Sequence, residues 1–140
     1  MLRETSDPAT INAIANHPDV LPGVSPLGGA VDLSSAVHDG NVFLFGEHGG
    51  ICWGWTGPGV FEGHVMLTKA GRGAWGIRAG RWAIEEMARR GARLLWCRVH
   101  PDRPEVARYV TACGMHDTGD TNICDIGTGP VRWRLYERSI

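Results

Sequence analysis

The chain carries almost no excess charge: 14 Lys and Arg stand against 15 Asp and Glu, for a formal net charge of −1 over 140 residues. Without a basic surplus, neither nucleic acid nor an anionic membrane is expected as a general partner, so any basic site must be local. No apolar run approaches the roughly 20 residues of a membrane span. The first residues, MLRETSDP, lack the charged-then-apolar layout of a secretory signal, and a cytoplasmic protein is expected. Cys52, Cys97, Cys113 and Cys124 form no C-x-x-C pair and have no histidine at zinc-ligand spacing, so no metal site is expected. Cys97 lies in an apolar run and Cys113 precedes Gly114, which reads as buried free thiols. There is no repeat, low-complexity segment or linker, and the length suits one domain over residues 1–140.

Glycine and tryptophan are abundant instead, with 20 and 6 copies, giving many tight backbone positions and several large core anchors. The most organised stretch runs from Phe61 to Arg90. From Val60 to Thr68, Phe61, Val65 and Leu67 alternate with Glu62, His64, Met66 and Thr68, which predicts a strand with one apolar face. Beyond Lys69-Ala70-Gly71-Arg72-Gly73, the residues Trp75, Ala79, Trp82, Ala83 and Met87 recur at helical spacing until Gly91. Glu85 with Arg89, and Glu86 with Arg90, are spaced to pair on its outer side. A strand feeding a helix through glycines aims unpaired N–H groups and the positive helix end at one point, the arrangement of an anion site. Lys69 and Arg72 add charge that a diphosphate can use.

Around this stretch, Ser6 or Asp7 with Pro8 predicts a helix start, its apolar side supplied by Ile11, Ile14 and Ala15 up to Asn16. His17-Pro18 ends it. A Pro- and Gly-rich loop follows, with one short turn expected at Asp19 to Leu21, then a short helix over Asp32 to Val37 closed by Asp39-Gly40. Asn41–Glu47, Ile51–Thr56 and the Val60 strand, joined by glycine turns, should be antiparallel. Ala92–Val99 follows a helical crossover and should lie parallel to the Val60 strand. Pro104 opens a helix to about Ala112, and Met115–Gly119, Asn122–Ile126 and Val131–Glu137 are expected to close the sheet as two or three strands. The fold class is therefore α+β, a central mixed and mostly antiparallel sheet flanked by helices.

Gly71, Gly73 and Gly76 match G-x-G-x-x-G after a strand and before a helix, the dinucleotide-binding fingerprint, so an NAD(P)-binding module is one reading. The acidic residue expected some 20 residues on is missing, and only Arg98 is at hand, to suit a 2′-phosphate. The element order favours another reading. Helices, three antiparallel strands, a glycine-and-arginine loop, helix, strand, helix and closing strands resemble the GNAT N-acetyltransferase superfamily. Arg72-Gly73 match the start of its R/Q-G-x-G-x-G/A loop, with Trp75 and Ile77 where that pattern has glycine and a small residue. Phe61 to Leu67 resembles the strand whose backbone contacts pantetheine. VHPDRPEVARYVTACGM resembles the family's V-x-P-x-N-x-x-A-x-x-L-Y-x-x-x-G-F, with Val99, Pro101, Gly114 and Met115 in register and Arg103 in place of asparagine. In that register Val110 takes the place of the family's tyrosine acid, and Tyr109 lies one residue earlier, about 100° round the helix. His17-Pro18-Asp19 resembles a segment of small phage and prophage GNAT-like proteins.

The resemblance implies acetyl-CoA as co-substrate and a primary amine, small molecule or protein, as acceptor attacking the thioester directly. Its diphosphate would lie at Lys69, Arg72, Gly73, Ala74, Trp75, Gly76 and Ile77, and its pantetheine alongside Met66 and Leu67. Glu62 is the first candidate for the base and His64, with an ordinary pKa of about 6.5, the second. Leu67 N–H is the expected oxyanion donor. A GNAT fold kept as a phage-associated structural or interaction protein, with little catalysis, is the alternative from another class. The tryptophans can also serve a homodimer sheet.

Overall fold

Asp7 starts the first helix: its carboxylate accepts the N–H groups of Ala9 and Thr10, and Pro8 occupies the first turn of α1, Pro8–Ala15. The computed structural model describes residues 1–38 and 40–140. Ahead of α1, Arg3–Glu4 form a short edge strand, β1, too brief to show alternation in the sequence. The turn expected at Asp19 to Leu21 lies slightly later, as α2, Leu21–Val24. The helix expected over Asp32 to Val37 shrinks to one 3-10 turn, Ser34–Ala36, and its expected stop includes Asp39, outside the described residues. The chain continues through β2 (Val42–Gly46), β3 (Gly49–Gly57), β4 (Val60–Leu67) and a 3-10 turn (Lys69–Gly71) into α3 (Ala74–Arg89). It ends with β5 (Leu94–Val99), α4 (Pro104–Cys113), β6 (His116–Asp125) and β7 (Pro130–Ser139).

The strands form one sheet in the order β1-β2-β3-β4-β5-β7-β6. Every neighbouring pair is antiparallel except β4 and β5, which the α3 crossover makes parallel. A single parallel pair corrects the dinucleotide-fold alternative, because that architecture needs several successive parallel units. The segments 115–119 and 122–126 also merge: β6 is one strand with a register shift between Asp117 and Thr121, so Gly119 falls in an irregularity within it rather than in a turn.

Both sheet faces carry apolar cover. On one, α3 and α4 bury Leu44, Ile51, Trp53, Leu95, Cys97, Val99 and Tyr136. On the other, Ile11 and Ala15 of α1 with Val20 bury Phe43, Phe45, Cys52 and Met66, and no residue of β5, β6 or β7 joins that cluster. Met66 is thus a core residue of the second face, not part of a solvent face as plain alternation suggested. Val65, expected to be apolar and inward, remains 43% exposed. At the end of α3, Glu86 takes both arginines, accepting Arg89 Nε at 3.1 Å and Arg90 Nε at 2.9 Å, whereas the expected Glu85–Arg89 pair does not form. The (i, i+3) neighbour is as close on a helix surface as the (i, i+4) one, which is why Arg89 can turn to Glu86. Among the described residues no helix is long and apolar enough to cross a membrane.

Gly80 sets the approach of α3 to α4. A Cβ there would stand 2.4 Å from Cys113 Sγ and 2.8 Å from the Tyr109 hydroxyl. Overpacking of this kind costs about 1–3 kcal/mol, offset by up to about 1 kcal/mol of better helix propensity. Gly80→Ala is therefore expected to lower the urea midpoint, with Cys113→Ala in the same chain recovering part of the loss; an unchanged midpoint in the single variant would refute the tight contact.

Candidate functional site

The parallel pairing is short. Val60, Phe61 and Glu62 face Leu94, Leu95 and Trp96, and beyond that β4 and β5 separate. β4 stays paired with β3 as far as Leu67 opposite Gly49, and β5 stays paired with β7 as far as Val99 opposite Arg134. The edge of β4 from Gly63 to Leu67 therefore faces a gap. Thr68 N–H bonds back toward the β3 side, to His48 O at 3.1 Å. Since N–H directions alternate along a strand, Leu67 and Val65 aim their N–H groups at the gap. The exposure of Val65 has the same origin, since β5 has swung away from it.

At one end of this gap the helix start is built by three glycines with different tasks. Gly73 has φ 94°, a conformation that favours glycine, and open space where a side chain would be. Gly76 lies so close that a Cβ would be 2.5 Å from Gly71 O and 2.9 Å from Leu67 Cδ1. Gly71 in turn sits against His48, with a Cβ position 2.7 Å from that of His48. The result is a helix pressed onto the loop, with the N–H groups of Gly73, Ala74, Trp75 and Gly76 taking no acceptor among the described residues. Ile77 N–H is already bonded to Gly73 O at 3.0 Å. The Trp75 ring packs edge-on to His48, centroids 5.1 Å apart, so only its backbone belongs to this donor set. The arrangement suits a negatively charged group: the donors are unpaired, the helix end is positive, and a Cβ at Gly73 would meet nothing within 4 Å.

The two basic residues expected to help are both tied to Asp19, Lys69 through its backbone and Arg72 through its guanidinium. Lys69 N–H donates to Asp19 Oδ2 at 2.9 Å, and Arg72 donates through one guanidinium nitrogen to Asp19 O at 2.7 Å. Asp19 N–H in turn donates to His17 Nδ1 at 3.1 Å. The Lys69 N–H bond, reinforced by the charges of His17, Lys69 and Arg72, holds the Asp19 carboxyl below its ordinary pKa. This contact spans 50 residues of sequence, and only the His17-Pro18-Asp19 motif hinted at it.

Glu62 and His64 lie on the other face, beside the same gap. Glu62 is only 9% exposed, and its Oε1 accepts both Nε and a terminal nitrogen of Arg98 at 2.9 Å. Arg98 stands one pleat beyond Trp96, the register partner of Glu62, so the parallel pairing itself brings the charges together. This assigns Arg98 to a carboxylate, not to a nucleotide phosphate. His64 Nε2 lies 3.8 Å from Glu62 Oε1. Partial burial lowers the pKa of the imidazole below its ordinary value; the Glu62 charge opposes this and the Arg98 charge adds to it. The opposite end of the Arg98 guanidinium reaches Cys124 Sγ at 3.4 Å. Tyr109 donates its hydroxyl proton to Gly76 O at 3.0 Å, and burial raises its phenol pKa, while Val110 is buried in the core. Neither offers a proton to the gap.

No family model and no curated protein matches this chain. Solved structures do. A ribosomal-protein-alanine N-acetyltransferase from Brucella melitensis superposes with a TM-score of 0.71 at 16% identity, over 100% of this chain and 99% of its own. A GNAT-family acetyltransferase from Streptococcus pneumoniae gives 0.74 at 15% identity, with the same coverage of 100% and 99%. A putative acetyltransferase, yncA, from Salmonella typhimurium, solved with its cofactor acetyl-CoA, gives 0.67 at 15% identity over 99% of this chain and 92% of its own. The fold is that of the GNAT acetyltransferases, and identities this low carry the fold alone.

Proposed function

From this shared acetyltransferase fold, we propose that the chain transfers an acetyl group from acetyl-CoA to a primary amine by direct attack. One observation supports it above the rest: the gap between β4 and β5 has four unpaired N–H groups at one end and the Glu62–His64–Arg98 group at its side. The diphosphate would take the N–H groups of Gly73 to Gly76, with Arg72 and Lys69 at its flank, and the pantetheine arm would run beside Met66 and Leu67. Leu67 N–H, aimed into the gap, would meet the oxyanion that develops on the thioester carbonyl.

The acceptor arrives mostly as an ammonium and must lose a proton before its lone pair can attack. Glu62 is a poor choice for that task because Arg98 holds its carboxylate through Oε1 and balances its charge. His64, half-exposed at the gap and with its pKa held below the ordinary value chiefly by desolvation, is the better base. The amine nitrogen bonds to the acetyl carbon, the C–S bond breaks and its electron pair leaves on sulfur. The products are an amide and the CoA thiol, with one proton released overall from the ammonium.

The reading is tested by thermal stability with acetyl-CoA, CoA, NAD and NADP in parallel. A ligand at 100 times its Kd adds about 2.7 kcal/mol, a rise of several degrees. A rise with the two CoA ligands alone is expected, and Arg72→Glu, which puts a carboxylate beside the unpaired donors, should abolish most of it. Silence from the CoA ligands would overturn the proposal. Tyr109 supports a second reading, a non-catalytic interaction protein of the phage-associated kind, because its hydroxyl is spent on Gly76 O. That reading requires stable association with a virion or host protein without CoA binding.

A further inference from the structure

The geometry points to a free α-amino acid with an apolar or aromatic side chain as the acetyl acceptor, held by its two charges on the Glu62–Arg98 pair. The inference rests on the acetyl-transfer reading and deepens it.

Three features carry it. First, the carboxylate beside the gap is already matched in charge by Arg98, so a ligand that brings one ammonium must also bring an anion to keep the group neutral, and the further cations of a polyamine would find no partner there. Second, both partners of the pair are unfinished. All contacts to Glu62 from Arg98 and His64 are made through Oε1, which leaves Oε2 without a bond among the described residues. At its far end Arg98 has only the Cys124 sulfur at 3.4 Å, and a thiol is a weak acceptor for a guanidinium. One ion pair thus presents an open anionic acceptor and a poorly used cationic donor, the complement of an ammonium and a carboxylate on the same small molecule. Third, the surroundings are aromatic. On this face Trp96 precedes Arg98 along β5, and Trp133 of β7 stacks edge-on to His100, the residue after β5, with ring centroids 5.0 Å apart. The α1 cluster stops at β4, so no helical residue of that cluster covers these rings.

The ammonium sits at Glu62 Oε2 and passes a proton to neighbouring His64. Its nitrogen then bonds to the acetyl carbon as the C–S bond breaks, while the carboxylate stays on Arg98. The product is an N-acetyl amino acid with CoA thiol, one proton being released overall.

The test measures thiol release from acetyl-CoA with phenylalanine, phenylalaninamide and spermidine. The amide keeps the ring and has the less basic amine, so its intrinsic reactivity at neutral pH works against the inference. Phenylalanine is expected to exceed the amide in kcat/KM by at least about tenfold, the smallest effect of a hydrogen bond between full charges. Arg98→Lys, which keeps the charge beside Glu62 but loses the planar fork, should shrink that ratio toward one. Equal or faster turnover of the amide or of spermidine overturns the assignment and leaves acetyl transfer standing. Turnover of none of the three also overturns it, and if acetyl-CoA then fails to raise the melting midpoint, the acetyltransferase reading falls with it.

Discussion

His64→Gln is expected to lower kcat/KM by about a hundredfold or more at neutral pH, the lower end of what a positioned general base contributes. The pH profile carries the sharper evidence. Burial, partly opposed by Glu62, places the imidazole pKa below its ordinary 6.5. A base works deprotonated, so wild-type kcat/KM should rise as pH climbs through the folded-state pKa and level off above it, with the acid limb below about pH 6.5. In His64→Gln that limb should vanish. The same shift has a sign for stability: below about pH 6.5 the unfolded chain binds the proton more readily than the folded one. The contribution of His64 is therefore present above the unfolded pKa and lost as pH falls toward the folded one. A variant with near-normal turnover and an intact acid limb would remove His64 from the mechanism and return the role to Glu62.

Arg98→Ala should be among the most destabilising single changes in the molecule. The Glu62 side chain is only 12% exposed, and without the guanidinium its charge would be buried and unpaired. Breaking a fully buried pair costs about 3–5 kcal/mol; Arg98 is 31% exposed, so water can partly replace it and about 3 kcal/mol is expected. In a domain of this size the midpoint would fall on the order of 10 °C. The partner change is diagnostic. Glu62→Gln together with Arg98→Ala removes the stranded charge, and the double variant should melt well above Arg98→Ala alone. Equal loss in the single and double variants would mean that Arg98 acts through packing and not through its charge.

Much of this was legible in the sequence because it is local. The strand–loop–helix from Val60 to Arg89 is written in alternation, glycines and helical spacing, and the crossover rule then fixed β4 and β5 as parallel. The unpaired N–H groups at the start of α3 follow from the same residues. What the sequence withheld depends on contacts between distant segments. Apart from the His17-Pro18-Asp19 motif, nothing near Asp19 announces that its carboxylate will accept the Lys69 N–H and its carbonyl the Arg72 guanidinium. The partner of Glu62 was recoverable in principle, since a parallel register that places it beside Trp96 puts Arg98 one pleat further on. Met66 and Val65 misled for one reason. Alternation tells which residues share a face, but burial depends on what covers that face, and here α1 covers Met66 while the parting of β5 uncovers Val65.

The brevity of the β4–β5 ladder reaches beyond ligand placement. Among the described residues its three residue pairs are the sole strand-to-strand join between β1–β4 and β5–β7, so the sheet is two panels meeting along a short seam. Cooperative opening in native proteins begins where backbone pairing is thinnest. Once the two-pair β1 edge is set aside, the panels should part before either melts, held meanwhile by α3 and α4 lying across them on one side. Amide protons of Gly63 to Leu67 that face the gap would then exchange faster than those facing β3 on the same strand. A molecule lodged in the seam would act as a rivet, lending the sheet continuity that its own backbone does not provide.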